Sequence, residues 1–185
     1  MFYTFIIIKV VNNILDTFEC ILTKLDIREF SQKEVPFEIK LKILEAARST
    51  GTGLNTQHWR FIAVDNKDNI KTLANDSTSG SWVARSNFAV IVLTNPKYGF
   101  HLIDAGRVLQ NMQLAAWNYG IGSGIFTGIK EEGLRSDFAI PSDLDPVAIV
   151  GFGFPVMELK GTRKNRLPLK ELVYYEKYGN SWTPL

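Results

Sequence analysis

Residues 88–94, Phe-Ala-Val-Ile-Val-Leu-Thr, form an unbroken apolar run closed by a threonine. A strand with one face in water alternates apolar and polar residues, so a run without alternation needs cover on both faces. The chain around it must therefore supply a layer on each side. Residues 13–24 and 36–48 read as helices; the second opens at Pro36 and carries Ile39, Ile43, Leu44 and Ala47 on one face. Residues 60–64 read as a strand and 67–75 as a short helix, followed by the polar loop Asp-Ser-Thr-Ser-Gly-Ser. Residues 104–120 predict a long helix, with Asp104 as its N-cap and Gly120 just past its end. Val108, Leu109, Met112, Ala115, Ala116 and Tyr119 cover more than one stripe of that helix, which predicts a buried position at the centre of the fold. Residues 124–129 and 147–154 complete the strands. Helices and strands mix without strict alternation, so the predicted class is α+β. No linker interrupts the pattern, and residues 16–185 are expected to form one domain.

Residues 1–15 are apolar and β-branched but lack a basic start and a small-residue cleavage site. Their run is also shorter than the roughly 20 residues that span a bilayer. They are read as an extra segment ahead of the domain. The net charge of +2 is too small to call for nucleic acid or a membrane surface as partner. A single cysteine, Cys20, permits no internal disulfide and reads as a small buried thiol, with the cytoplasm as the default compartment. Two histidines and one cysteine are too few ligands for a structural zinc site, so no metal is expected.

Three stretches carry possible chemistry. Gly-Ile-Gly-Ser-Gly-Ile-Phe-Thr-Gly at 120–128 is glycine-rich, but its spacing and its place after a helix both miss the dinucleotide fingerprint. It reads as a helix stop and turn, with Gly128 leaving room for a ligand near the backbone. Arg163, Lys164 and Arg166 form a cationic cluster suited either to a phosphate monoester or simply to water. Lys24 and Arg28 offer a second set of cations. The connection at 48–59, Arg-Ser-Thr-Gly-Thr-Gly-Leu-Asn-Thr-Gln-His-Trp, is rich in hydroxyl and amide side chains for a link between helix and strand. No nucleophile motif or histidine-based triad is present.

The order of these stretches is more specific than any one of them. Lys-x-Asp-Ile-Arg, then Ile-Leu-Glu-Ala-Ala-Arg leading to Asn-x-Gln-x-Trp, then Asp-Ala-Gly-x-x-x-Gln-Asn-Met, then Lys-x-Arg-Leu-Pro-Leu, resembles the nitroreductase family from about Phe18 to Val173. The resemblance implies a three-layer α+β fold with a central, mainly antiparallel sheet, and a homodimer with FMN at its interface. It implies that Lys24, Asp26 and Arg28 stand in the Arg-x-Ser-x-Arg element that holds FMN. Thr52, Asn55 and Gln57 match the loop that reaches the flavin across the interface. Thr127 and Gly128 match the strand end facing flavin N5, and Lys164 and Arg166 the pair that grips the phosphate. The implied activity is an FMN-dependent NAD(P)H oxidoreductase. Hydride passes from NADH or NADPH to flavin N5 and then, in ping-pong order, to a nitroaromatic, quinone, enone or flavin, with no protein side chain as catalyst. Alternatives left open are a flavin-binding protein without such turnover, a specialised flavin enzyme such as a reductive dehalogenase, and a domain that lost the flavin. The chain departs from the family pattern at Asp26, where serine is usual, and at Gly51 and His58, where proline is common. The short connection between Leu93 and Asp104 omits a helical roof, so the pocket is expected to be open or covered by a partner's C-terminal tail.

Overall fold

The computed structural model describes residues 16–157 and 164–182. The apolar segment 1–15 lies outside the described residues. So do Arg163 of the basic cluster and the last residues of the aromatic tail.

Four strands, β1 (Arg60–Val64), β2 (Phe88–Thr94), β3 (Gly122–Phe126) and β4 (Asp145–Gly153), form one antiparallel sheet in the order β1-β2-β4-β3. All seven residues of β2 are buried, as its uninterrupted apolar sequence requires. Phe88, Val90 and Val92 face one layer, built from Ile43 and Ala47 of α2 (Phe37–Arg48) and Ala105, Val108, Met112 and Ala116 of α4 (His101–Asn118). Ala89, Ile91 and Leu93 face the other layer, where Ile70 and Leu73 of α3 (Lys67–Asn75) meet Leu134 of α5 (Glu131–Asp137). The architecture is the expected three-layer α+β fold. Phe88 stacks on Phe152 of the adjacent strand, with ring centroids 4.7 Å apart and both residues at most 1% exposed. Truncating either ring to alanine costs roughly 3–5 kcal/mol.

Local chemistry explains two of the helix ends. The first helix, α1, spans Thr17–Thr23, because Asp16 accepts the Glu19 N–H at 2.8 Å and caps it there. At the end of α4, Gly120 takes φ +71°. Its N–H bonds Trp117 O and that of Ile121 bonds Ala116 O, which closes a Schellman turn.

Other expectations needed correction. Helix α4 starts at His101, so Asp104 lies within the first turn and is 2% exposed instead of capping. One face of α4 covers the sheet, while Leu102 and Ile103 stand 59% and 68% exposed on the other. Strand β3 begins at Gly122 and stops at Phe126, leaving Thr127 and Gly128 just beyond it. Its glycines answer a packing need. A Cβ on Gly124 would sit 2.8 Å from both the Ile27 carbonyl and the Trp82 ring, and one on Gly122 would meet the Ile27 side chain. The chain at 26–28 therefore runs directly along β3, with Ile27 N–H bonded to Ser123 O at 2.8 Å. Among the described residues, no helix is long and apolar enough to cross a membrane.

Candidate functional site

The contact between segment 24–28 and β3 creates a charged corner. Lys24, 9% exposed, pairs with the Asp26 carboxylate. Gln113 on α4 donates through Nε2 to Ser123 Oγ at 3.1 Å and to Asp26 Oδ1 at 3.4 Å. Burial pushes the Asp26 carboxyl up, but the hydrogen bonds from Lys24 and Gln113 and the nearby charges of Lys24 and Arg28 outweigh it and hold the group below its ordinary value. From the far end of the sequence, Lys164 donates to Ile21 O at 2.7 Å, near the end of α1. Burial, then the positive charges of Arg166 and Lys24, push the Lys164 ammonium down, with Asp26 opposing. Lys24, Lys164 and Arg166 thus share one corner with Asp26. Arg166 bonds its neighbour's carbonyl, Asn165 O, and has no carboxylate partner among the described residues. Arg28 lies with its guanidinium 5.8 Å from the centroid of the Trp82 ring.

The opposite end of β3 carries a second element. Gly128 O accepts Thr78 N–H and Asp76 O accepts Lys130 N–H, both at 2.8 Å, which ties segment 127–130 to the loop after α3. The N–H groups of Thr127 and Gly128 donate to no backbone acceptor among the described residues. Segment 127–130 packs closely on this loop: a Cβ at Gly128 would lie 2.4 Å from Thr78 Oγ1 and 2.5 Å from Ser79 Oγ, so those hydroxyls would have to turn away to admit one.

The loop between α2 and β1 is the third element. Thr52 Oγ1 accepts the Gln57 N–H at 3.1 Å, and Gln57 Nε2 donates to Asn55 Oδ1 at 3.3 Å. Leu54, Asn55 and Gln57 take φ of 52°, 54° and 47°, left-handed values that cost non-glycine residues roughly 1–2 kcal/mol each. Such strain persists only where surroundings enforce it. Asp104 does so: Oδ2 accepts the Gly53 N–H at 2.9 Å and meets His58 Nε2 at 3.2 Å, while Oδ1 accepts Arg107 Nη1 at 3.2 Å. His58 Nδ1 accepts the Asn95 N–H at 3.4 Å, so Nε2 carries the ring proton and donates to Asp104. Burial raises the Asp104 carboxyl, but the bonds from Gly53, His58 and Arg107 prevail and hold it below its ordinary value. Trp59, 6% exposed, stacks on Phe61 at 6.2 Å and fixes the loop where β1 begins.

Lys24, Asp26, Lys164 and Arg166 therefore converge, with Arg28 on the same segment. Thr127 and Gly128 follow the far end of the strand that Asp26 borders. Thr52, Asn55 and Gln57 do not join them within one chain. Their anchor Asp104 lies nine residues from Gln113 on α4, roughly 13 Å along the axis at 1.5 Å per residue. Asp104, His58 and Gln113 escaped the sequence reading as site residues. The available signal was an amide, Gln113, spaced with Leu109 and Ala116 on an apolar helix face, where a polar side chain needs a partner.

The model of the nitroreductase family matches residues 21–95 and 79–154. A Methanothermobacter thermautotrophicus protein with the provisional name NADH dehydrogenase/NAD(P)H nitroreductase is 32% identical over 158 residues, which cover 80% of this chain and 82% of that one. An Archaeoglobus fulgidus protein with the same provisional name is 30% identical over 73% of this chain and 83% of its own. The solved structure of a provisionally named nitroreductase in complex with FMN, from Desulfovibrio desulfuricans, superposes with a TM-score of 0.77 at 25% identity, covering 88% of this chain and 97% of that one. Sequence and fold agree that the chain belongs to the nitroreductase family.

Proposed function

We propose that the protein is an FMN-dependent NAD(P)H oxidoreductase that works as a homodimer. The observation that carries this reading is the corner where Lys164, bonded to Ile21 O near the end of α1, brings its charge and that of Arg166 to Lys24 and Asp26, with Asp26 as the one acid acting on Lys164 among the described residues. Like charges that Asp26 balances only in part raise the free energy of the site, and a phosphate monoester relieves them. The donor set fits FMN on this ground and on the N–H groups of Thr127 and Gly128, which have no backbone acceptor among the described residues. The Desulfovibrio desulfuricans relative holding FMN supports the choice of cofactor, and the names of the archaeal relatives support a nicotinamide donor.

FMN, when bound, supplies hydride acceptance from NADH or NADPH and delivery to a small organic acceptor (a nitroaromatic, quinone, enone or flavin) in ping-pong order. The chain's own residues bind and orient. Lys24, Lys164 and Arg166 hold the phosphate. Arg28, backed by the Trp82 face, would offer positive charge to the flavin ring, and the N–H groups of Thr127 and Gly128 would offer it hydrogen bonds. Asp26 stays ionised against Lys24, so it cancels one cation without standing alone beside the phosphate. The loop bearing Thr52, Asn55 and Gln57 clasps the cofactor held by the other subunit. Exposed apolar side chains support pairing: Phe18, Ile21 and Leu22 on α1, Leu102 and Ile103 on α4, and Tyr175, Tyr178 and Trp182 in the C-terminal arm. A reducing, cytoplasmic compartment suits the free buried Cys20.

The test is a titration of FMN-free protein with FMN, followed by flavin fluorescence. Saturable binding that weakens as salt rises is expected; no uptake at any salt concentration overturns the reading. A second reading, a flavin-binding protein without nicotinamide turnover, draws on the charge that Asp26 cancels. It requires FMN uptake with no reduction by either nicotinamide.

A further inference from the structure

We infer that Asp104 and His58 are positioning residues for the flavin clasp, acting through the loop that carries Thr52, Asn55 and Gln57. The inference rests on the flavin reading above and goes beyond it, because neither residue belongs to the set that touches the cofactor. The side chains of Asp104 and His58 are each 2% exposed. Their 3.2 Å contact spans 46 positions of sequence and joins the loop to the first turn of α4. The same Asp104 oxygen takes the Gly53 N–H, so both ends of the segment 53–58 are tied to one atom. Between those ties lie the three residues with left-handed backbone, Leu54, Asn55 and Gln57. The geometry explains how an exposed loop without proline keeps that conformation: one buried carboxylate fixes where it starts and where it ends.

Space restricts the ring as well. His58 is enclosed by Trp59, Tyr98 and Phe100, with centroids at 6.1, 5.1 and 6.0 Å, and its two nitrogens have separate duties. Nδ1 accepts from the Asn95 N–H, and Nε2 donates to Asp104. Asparagine at 58 reproduces the first contact and loses the second, because its amide oxygen overlays Nδ1 and nothing reaches Asp104. Glutamine does the reverse, its amide nitrogen overlaying Nε2.

Three variants test the assignment, with FMN affinity and Gly53 amide exchange in the FMN-free protein as readouts. His58→Asn and Asp104→Ala are expected to weaken FMN binding by about tenfold, and His58→Gln to stay within about threefold of the parent. Asp104→Ala, which leaves no acceptor for the Gly53 N–H, is also expected to speed amide exchange at Gly53 by about tenfold or more. A merely space-filling role would rank the two His58 variants equally or reverse them. That outcome, or parent-like affinity in His58→Asn, overturns the inference. Should His58→Asn fail to fold, the contrast between Asp104→Ala and His58→Gln decides by the same criteria. Failure of the parent protein to bind FMN removes both the flavin reading and the clasp, whereas parent binding with unaffected variants removes the clasp alone.

Discussion

The loop at 49–59 and the cationic corner are built on opposite principles. The loop is wired before any ligand arrives: Thr50 Oγ1 donates to Ala46 O at 2.9 Å and accepts from Asn111 at 2.8 Å, and Asp104 and His58 hold the rest. Its strained backbone is over-determined by buried hydrogen bonds. The corner joins Lys24 to Lys164, 140 positions later, and its charges repel one another. It is balanced only in part by Asp26, whose side chain is 61% exposed. One region is ordered by the fold; the other, on the proposed reading, is completed by an anion. The loop is therefore expected to govern stability as well as binding, and the corner binding almost alone.

The largest effect is expected at the loop's anchor. Asp104→Ala strips a buried His58, the Gly53 N–H and Arg107 of their acceptor, and should cost about 3 kcal/mol in urea denaturation. A loss under about 1 kcal/mol would mean that the loop is not held as described. Next comes the corner. Arg166→Glu should weaken FMN binding by 1–2 orders of magnitude, roughly 1.4–3 kcal/mol, while unfolding stability stays within about 0.5 kcal/mol. A large stability loss there would erase the contrast between the regions.

Acid sharpens it further. Asp104 and Asp26 have folded pKa values below the ordinary carboxylate value. Their contribution is complete above the unfolded value, near 4, and drains away as pH falls through the folded values. Asp104 should dominate, because solvent screens the exposed Asp26. Urea midpoints measured from about pH 6 to 3 should fall less steeply in Asp104→Asn than in the parent.

The smallest effect has the opposite sign. Burial, then Asp137, push the Asp76 carboxyl up, and its Oδ2 has no hydrogen-bond partner among the described residues. Its contribution is present below the ordinary value and is lost as pH rises through the folded one, so Asp76→Asn should add about 0.5–1 kcal/mol at neutral pH. Destabilisation by that change would show that the ionised carboxylate is needed beside segment 127–130.

Strand β2 was legible to the residue, because a run of six apolar residues closed by Thr94 and bounded by Asn87 and Asn95 marks both of its ends. The bounds of α3 were legible for a similar reason: Asn66 caps its start and Asp76 ends it. Helix α5 was not, since its seven residues bury only Leu134 and show no period. Strand β3 was misplaced, by two residues at its start and three at its end, because its glycines carry no strand propensity. Its position is set by Ile27 and Trp82 lying against it, which no local pattern announces. The corner's cations could be named from motif order, yet their convergence depends on tertiary structure. Asp104 has the look of an N-cap in sequence. Only the arrival of Gly53 and His58 beside it turns it into an anchor.

The most direct test of the functional reading is an anaerobic absorption spectrum of the FMN-loaded protein before and after one equivalent of NADH or NADPH. The expected result is a visible flavin band that bleaches with at least one nicotinamide and returns when a quinone or nitroaromatic is added. A bound band that neither nicotinamide bleaches would contradict the oxidoreductase reading and leave a protein that only holds the flavin.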